Sequence, residues 1–233
     1  MINELDKLVR LVEREDCLRK RIRVSSVLTI ENKNQKYPIY SYSIGSQNPQ
    51  SPVLFITGGI HGVERIGAQL AWSLLKTTVD RMIWDKALRD LLQYVRLVVT
   101  PLLNPVGYYN YSRSNGNGID LMRNSPVQSS EKTPFLLGGH RFSNKLPWFQ
   151  GVKEEFELEN QALLRIFQKE ALSSNCVIAI DFHSGFGMKD RLWFPFSYTA
   201  APFDNLAEMH ALTHLFEQTH PYHIYQIEPQ SKG

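Results

Sequence analysis

Residues Val53 to Glu64 read VLFITGGIHGVE, and the rest of the chain is arranged around them. Val53, Leu54, Phe55 and Ile56 form a continuous apolar run, the pattern of a strand buried on both faces. Gly58 and Gly59 then permit backbone angles that other residues resist, so the chain is expected to turn sharply at the strand's end. His61 and Glu64 follow, three residues apart. Both side chains bind divalent metals, His through an imidazole nitrogen and Glu through a carboxylate oxygen. Beyond them Ile66, Leu70, Leu74 and Leu75 recur at helical spacing, which predicts a helix to about Leu75. In open α/β sheets, ligands bind beyond the carboxyl ends of the strands, and this layout puts His61 and Glu64 there. A His and a Glu three apart also fit a solvated loop pair. The buried strand and glycine turn before them, and a second histidine later in the chain, favour the site.

The 233 residues are 42% hydrophobic and 21% charged, enough chain for one α/β domain with a substantial core. Net charge is +3, and the one basic concentration is Arg19-Lys20-Arg21 with Arg23, so nucleic acid is not the expected partner. No apolar run approaches the roughly 18 residues that span a bilayer. The N-terminal stretch MINELDKLVRLVERED lacks the apolar centre of a signal peptide. Two cysteines, Cys17 and Cys176, do not make a disulfide framework, and both are expected to be reduced. The composition points to a cytoplasmic protein without a membrane partner.

From the N-terminus, Ile2 to about Lys20 reads as an amphipathic helix with Ile2, Leu5, Leu8, Val9 and Val12 on one stripe. Residues 22–31 and 37–44 have the β-branched and aromatic content of strands. Asn32-Lys33-Asn34-Gln35 between them reads as a hairpin turn. A second helical stretch covers roughly 80–93. VRLVVTPLL (95–103) is another buried strand, broken at its carboxyl end by Asn104-Pro105-Val106-Gly107. Residues 108–150 hold little regular pattern, and so long a loop in a compact domain is usually functional. Glu154 to Lys169 resumes helical periodicity, with Phe156, Leu163, Leu164 and Phe167 as its apolar side. Residues 176–180 form a third buried strand leading into Asp181-Phe182-His183-Ser184-Gly185. Arg191 to Phe196, a helix over Phe203 to Thr219 and a strand over Tyr222 to Ile227 complete the pattern. Alternating strands and helices from Val53 onward predict a largely parallel mixed sheet with helices on both faces. With no repeat and no linker, residues 1–233 read as a single domain, the helix and hairpin of 1–50 packed onto it.

Three strand ends carry polar residues. The first has His61 and Glu64, and the second has Asn104-Pro105 followed by Arg113, Asp120 and Arg123. The third has Asp181, His183 and Ser184. Three protein ligands plus a water is the usual make-up of a catalytic zinc site, and two His with one Glu is a known version. His61, Glu64 and His183 supply that set. His210 and His214, at i and i+4 on one helix face, with His220 and His223 after them, form a rival cluster. A packed or solvated helix face accounts for it better, because no H-E-x-x-H pattern accompanies it.

GGIHGVE, then NPVGYYNYSRSNGNGIDLMRN, then IDFHSG, in that order, resembles the zinc carboxypeptidase family, which includes the pancreatic carboxypeptidases and bacterial murein-peptide amidases. That family has H-x-x-E, then an arginine before a G-[IV]-D-L-N-R-N run, then a histidine much later; here His183 follows Glu64 by 119 residues. Residues 157–163, ELENQAL, also resemble the family's E-P-E-T-x-A-L helix start. The similarity spans about Val53 to His183 and continues more weakly to the end. It implies a zinc-dependent exopeptidase fold and one zinc ion held by His61, Glu64 and His183. It implies that Arg113 polarises the scissile carbonyl and stabilises the oxyanion, and that Arg123 grips a substrate carboxylate, with Ser184 also on the substrate side. Asp120 would orient the first zinc histidine. The implied substrate is a small peptide or acylated amino acid with a free carboxylate.

This chain departs from the family pattern in places. The asparagine preceding the carboxylate-binding arginine is Met122 here, and an arginine of the pancreatic members is Val63. Both changes move the expected substrate away from an ordinary C-terminal amino acid, toward a murein peptide or an N-acyl amino acid, and leave a metal-containing peptide-binding module as a non-catalytic alternative. The family's general-base glutamate lies on a late strand; here it is expected beyond Gly233, with Glu228 a less favoured substitute.

Overall fold

A computed structural model describes residues 2–229 except Glu131, Pro134, Glu154, Phe186, Pro195, Ser197 and Ala200; the side chains of Ile2, Glu4, Asp16 and Cys17 are outside that description. The expectations for Cys17, for the Ile2 end of the first stripe, for a helix start at Glu154 and for residues 230–233 therefore fall outside the described residues. Cys176 is a free, exposed thiol.

The N-terminal helix is two pieces, α1 (Ile2–Arg14) and α2 (Asp16–Arg19). Leu5, Leu8 and Val12 are its buried stripe. It packs on a hairpin of β1 (Ile22–Asn32) and β2 (Gln35–Gly45), where the Tyr42 hydroxyl donates to the Leu5 carbonyl at 3.1 Å. The turn falls on Lys33 and Asn34, as expected, and both take positive φ (48° and 62°). That is the turn whose twist matches two antiparallel strands.

β3 (Val53–Gly58), β4 (Arg96–Thr100) and β5 (Val177–Phe182) join the hairpin in a five-stranded sheet of order β1-β2-β4-β3-β5. β3 pairs in parallel with β4 and with β5, while β4 pairs antiparallel with β2. The sheet is therefore mixed, with a parallel centre. Because β3, β4 and β5 run the same way, their carboxyl ends lie on one edge, where the candidate ligands emerge.

Helices cover both faces. On one, α1 and α3 (Arg65–Trp84) enclose Tyr42, Ile44, Ile56, Leu97 and Val99. On the other, α6 (Leu158–Glu170) packs Ile166 against Val53, Phe55 and Val98; Phe55 and Phe167 meet edge-on at 5.4 Å. Between α3 and α6 in the chain lie two short helices, α4 (Lys86–Leu91) and α5 (Pro105–Asn110).

Several local expectations are corrected. α3 runs unbroken to Trp84, past Thr77, Thr78 and Val79, and its inward face is Ala68, Ala71, Leu75, Val79 and Met82. Ile66, Leu70 and Leu74 point out instead. Small residues let this helix backbone lie close on the sheet, so its bulkier side chains turn away. Asp85 ends it and caps α4, accepting from the Leu88 N–H at 3.0 Å. Asn104 and Pro105 do not simply break the chain after β4: Asn104 caps α5 by accepting from the Gly107 N–H at 2.8 Å. On α6, Leu164 is exposed, and the inward residues include Ala162 and Ile166. β5 is not buried on both faces; it is an edge strand with Ile178 and Ile180 both 39% exposed. Finally, β6 (Arg191–Phe194) and β7 (Gln226–Pro229) pair with each other in a separate two-stranded sheet, and α7 (Leu206–Thr219) buries no residue.

One polar cluster ties the hairpin to α6. Glu170, 6% exposed, accepts from Arg23 and from the Ser43 hydroxyl, both at 2.8 Å. Arg96, 3% exposed, approaches the same carboxylate at 3.8 Å and donates to the carbonyls of Ser46, Asn48 and Glu170. Removing one partner of a buried pair strands the other's charge. Glu170→Ala is therefore expected to cost about 3–5 kcal/mol of stability in urea unfolding.

Candidate metal centre

The β3–α3 connection begins at Gly59, where φ is +67°. The side-chain amide of Asn104 then donates to the Ile60 carbonyl at 3.1 Å, so the end of β4 steadies the loop at the end of β3. His61 follows, 3% exposed, and the Glu64 N–H donates to the His61 carbonyl at 3.0 Å, closing a turn that brings the two side chains together. His61 Nδ1 lies 2.8 Å from Glu64 Oε1. His183, just past the end of β5, places Nδ1 3.0 Å from Glu64 Oε2. The Ser184 N–H donates to that same oxygen at 2.9 Å.

Behind each imidazole stands a carboxylate. His61 Nε2 is 3.1 Å from Asp120 Oδ1, and His183 Nε2 is 2.5 Å from Asp181 Oδ2. Asp120 is fully buried; its Oδ1 also accepts from the Met122 N–H at 3.1 Å, and its Oδ2 from Arg113 Nε at 2.8 Å. Arg113 spans the centre, since its Nη1 reaches Glu64 Oε1 at 3.1 Å.

These contacts set the charges. Burial by itself pushes the Glu64 carboxyl up, but hydrogen bonds from His183, His61 and the Ser184 N–H outweigh it and hold Glu64 well below the usual carboxylate range. Asp120 is likewise pushed up by burial and held low by His61 and Arg113. For His183 burial works downward, yet Asp181 and Glu64 together carry the imidazolium up to about 10.

The loop that carries Asp120 and Arg123 has little regular structure and is held instead by side-chain bonds to backbone. Asn115 Oδ1 accepts from the N–H groups of Asn117 and Ile119, and its amide donates to Glu157 and to the buried Glu159 at the start of α6. Asn124 donates to the carbonyls of Gln150 and Glu155, and Asn160 of α6 donates to Leu121 and Asn124. The residues of the ELENQAL stretch thus serve as anchors for this loop. Arg123 donates Nε to the Leu137 carbonyl at 2.9 Å and, with Met122, Thr57, Asp181 and Phe196, lines a cavity of about 690 Å³. Burial pushes its guanidinium down, and Asp120 pulls the other way. Met122 packs against the apolar cluster of Ile39, Ile60, Leu103 and Leu121.

Among the described residues, His61, Glu64 and His183 are the one group of three or more His, Cys, Asp or Glu whose ligand atoms all lie within 4.8 Å of one another. The donor set fits zinc. Two imidazole nitrogens and a carboxylate oxygen are a known catalytic combination, and each imidazole is backed by a carboxylate, the usual outer partner of a zinc histidine. The ligand atoms these residues offer lie within 4.8 Å of one another, near the roughly 3.3 Å that separates tetrahedral ligands about 2.0–2.1 Å from zinc.

The rival histidines do not assemble. His214 Nε2 meets the Gln218 amide at 2.9 Å, and His220 and His223 lie against the Phe216 ring. Glu228 is held by Arg191 and by Trp193 Nε1. Asp181, one of the polar residues at the third strand end, stands two residues before His183, and in extended chain such residues share a face.

A family model described as zinc carboxypeptidase matches residues 19–233. The carboxypeptidase N catalytic chain of Homo sapiens is 26% identical over 175 residues, which is 67% of this chain and 36% of that protein. Carboxypeptidase D of Mus musculus is 30% identical over 93 residues, 36% of this chain and 7% of that protein. The crystal structure of carboxypeptidase A from Helicoverpa armigera superposes with a TM-score of 0.75 at 18% identity, covering 97% of this chain and 56% of that one. Thrombin activatable fibrinolysis inhibitor superposes with a TM-score of 0.73 at 19% identity, covering 97% and 58%. At these identities the superpositions speak to the fold. The chain spans about a third or less of the length of these curated relatives and somewhat over half of these solved chains.

Proposed function

Because the chain belongs to the zinc carboxypeptidase family, we propose that it is a zinc-dependent metallopeptidase of the carboxypeptidase type, which hydrolyses an amide bond near a free carboxylate. The observation that carries this reading is the convergence of His61, Glu64 and His183 from two parallel strand ends, each histidine backed by a carboxylate. When bound, one zinc ion would supply a Lewis acid that polarises the scissile carbonyl and lowers the pKa of water.

The chain's own residues do the rest. Asp120 holds His61 and Arg113 in fixed relation, so one buried carboxylate orients both a ligand and a cation. Arg113 spends Nε and Nη1 on Asp120 and Glu64; Nη2, which has no hydrogen-bond partner among the described residues, is the group we assign to the carbonyl oxygen. Arg123, at the wall of the cavity, is assigned to the substrate carboxylate, because a guanidinium grips a carboxylate through two parallel bonds. The Ser184 N–H is turned to Glu64, so we place only the side chain of Ser184 on the substrate side.

A second reading, action on N-acyl amino acids or murein peptides, draws on Val63, which is exposed, and on Met122, whose side chain packs into an apolar cluster where the family places a polar partner for the carboxylate. A third, a metal-containing module that binds carboxylate-bearing peptides without turnover, draws on the carboxylates at the centre. Glu64, Asp120 and Asp181 are all committed to histidine or arginine partners.

Metal analysis together with a hydrolysis screen separates these readings. About one zinc per chain is expected, with turnover of peptides, murein fragments or N-acyl amino acids that is lost on chelation. Stoichiometric zinc with no turnover in any class selects the binding module. Purified, zinc-exposed protein without stoichiometric zinc overturns the metal reading itself.

A further inference from the structure

We propose that Asp181 is the positioning residue of the second histidine: it holds His183 in the orientation and tautomer that turn Nδ1 toward the metal, and so controls how firmly the ion is kept. This inference rests on His61, Glu64 and His183 being the zinc ligands.

A carboxylate has only acceptor oxygens, so the 2.5 Å contact between Asp181 Oδ2 and His183 Nε2 keeps a proton on Nε2, and the proton that a metal displaces is the one on Nδ1. The other ring nitrogen, Nδ1, is then the one that faces Glu64 and the centre. Asp181 is itself oriented from the neighbouring strand. The parallel register of β3 and β5 sets Thr57 opposite Asp181, and the Thr57 hydroxyl donates to Asp181 Oδ1 at 2.7 Å. A relay runs from Thr57 through Asp181 to His183, and its first two members line the cavity.

The same unit occurs at His61 with Asp120, but the two are unequal. Asp120 is fully buried and also holds Arg113 and a backbone N–H. Asp181 is 29% exposed, has among the described residues only Thr57 as a side-chain partner besides its histidine, and forms part of the cavity wall. Water competes for a carboxylate that it can reach. The firm end of the metal site is therefore His61, and the end whose hold depends on a single adjustable partner is His183. Loss of such an outer partner typically costs about 10- to 100-fold in metal binding.

The test loads the chain with zinc and follows its release to excess chelator. Release starts from the loaded protein, so it does not depend on the protonation of the empty site. Asp181→Ala is expected to speed release about 10- to 100-fold. Asp181→Asn, which keeps the shape and an acceptor oxygen but not the charge, and Thr57→Val, which removes only the relay, should fall between it and the wild type. The visible spectrum of the cobalt-substituted protein should shift in Asp181→Ala, a change that a purely structural role far from the ion does not produce. Release within twofold of wild type in both Asp181 variants, with an unchanged cobalt spectrum, overturns the proposal. Should Asp181→Ala fail to fold, the isosteric Asp181→Asn decides alone. A wild type that takes up no zinc overturns the ligand assignment and this inference with it, whereas a zinc-loaded wild type with unchanged variants overturns this inference only.

Discussion

His183→Ala is expected to lower zinc affinity about a hundredfold or more and to leave the purified protein without a stoichiometric ion. Structural zinc sites with four ligands bind with roughly 10–16 kcal/mol, about 3 kcal/mol per ligand, and 1.4 kcal/mol is tenfold in affinity. His61→Ala should lose zinc to a similar extent and lose stability as well. It leaves the fully buried Asp120 without its imidazole, bonded still to Arg113 and the Met122 N–H, and a buried acceptor deprived of a partner costs about 1–3 kcal/mol. His183, 27% exposed, strands a wetter carboxylate, so its loss should cost less. Metal analysis combined with urea unfolding reads both quantities. Stoichiometric zinc retained in both variants would sink the assignment of the ligands.

The same histidine fixes a pH dependence. In the metal-free protein Asp181 and Glu64 carry His183 up to about 10 against the pull of burial, from an ordinary 6.5. A group raised in this way stabilises the metal-free fold fully below about 6.5, and that contribution is lost as pH rises through about 10. Over the same window zinc must displace the proton on Nδ1, so its affinity should increase about tenfold per pH unit. Calorimetric titration in buffers of different ionisation enthalpy counts the released proton; a zinc affinity flat between about pH 7 and 9 contradicts the displacement.

Gly62→Ala is the second large effect. Gly62 lies between the two ligands of the H-x-x-E pair and rests on the backbone of α5. A Cβ placed there would sit 1.9 Å from the Gly107 carbonyl carbon, 2.2 Å from the Tyr108 nitrogen and 2.4 Å from the Gly107 oxygen. All three are main-chain atoms, held by the Asn104 cap and its bonds to Gly107 and Tyr108, so no side chain can swing aside to relieve the contact. The alanine has room only if the loop or α5 moves, and His61 moves with the loop. A loss of roughly 4 kcal/mol or more is expected, at the severe end for point substitutions, together with zinc affinity weakened at least about tenfold, as for a displaced outer contact. Serine at the same position should do no better, whereas Val63→Ala, at an exposed neighbour, should leave both quantities near wild type. Unfolding of the metal-free protein and zinc titration of the folded fraction measure the two losses; a Gly62→Ala protein as stable as wild type contradicts the close approach.

Where local chemistry is strong, the chain's reading and its structure agree. Val53 to Glu64 is legible because a β-rich apolar run, a glycine pair and two metal-binding side chains each constrain the chain within a few residues. Lys33-Asn34 is legible because turn residues have local preferences. The inward face of α3 is not legible, because periodicity identifies an apolar stripe but not which stripe faces in. Ala68 and Ala71 look weak as core residues beside Ile66, Leu70 and Leu74, yet close approach to the sheet favours the small ones. β5 reads as buried because Val177, Ile178 and Ile180 are apolar, and its edge position depends on which strands join the sheet.

By itself, the sequence determined the family, the parallel centre of the sheet and the identities of the three candidate ligands, because these follow from short-range patterns in a set order. Only the tertiary structure decided what stands behind His183 and beside the first ligand pair. Asp181 meets His183 Nε2, Thr57 reaches Asp181 through the register of two strands, 124 residues apart in the chain, and Gly62 touches α5 at the main chain. No one-dimensional spacing encodes such contacts, because they depend on how separate segments pack and on which few side chains that packing leaves within hydrogen-bond reach.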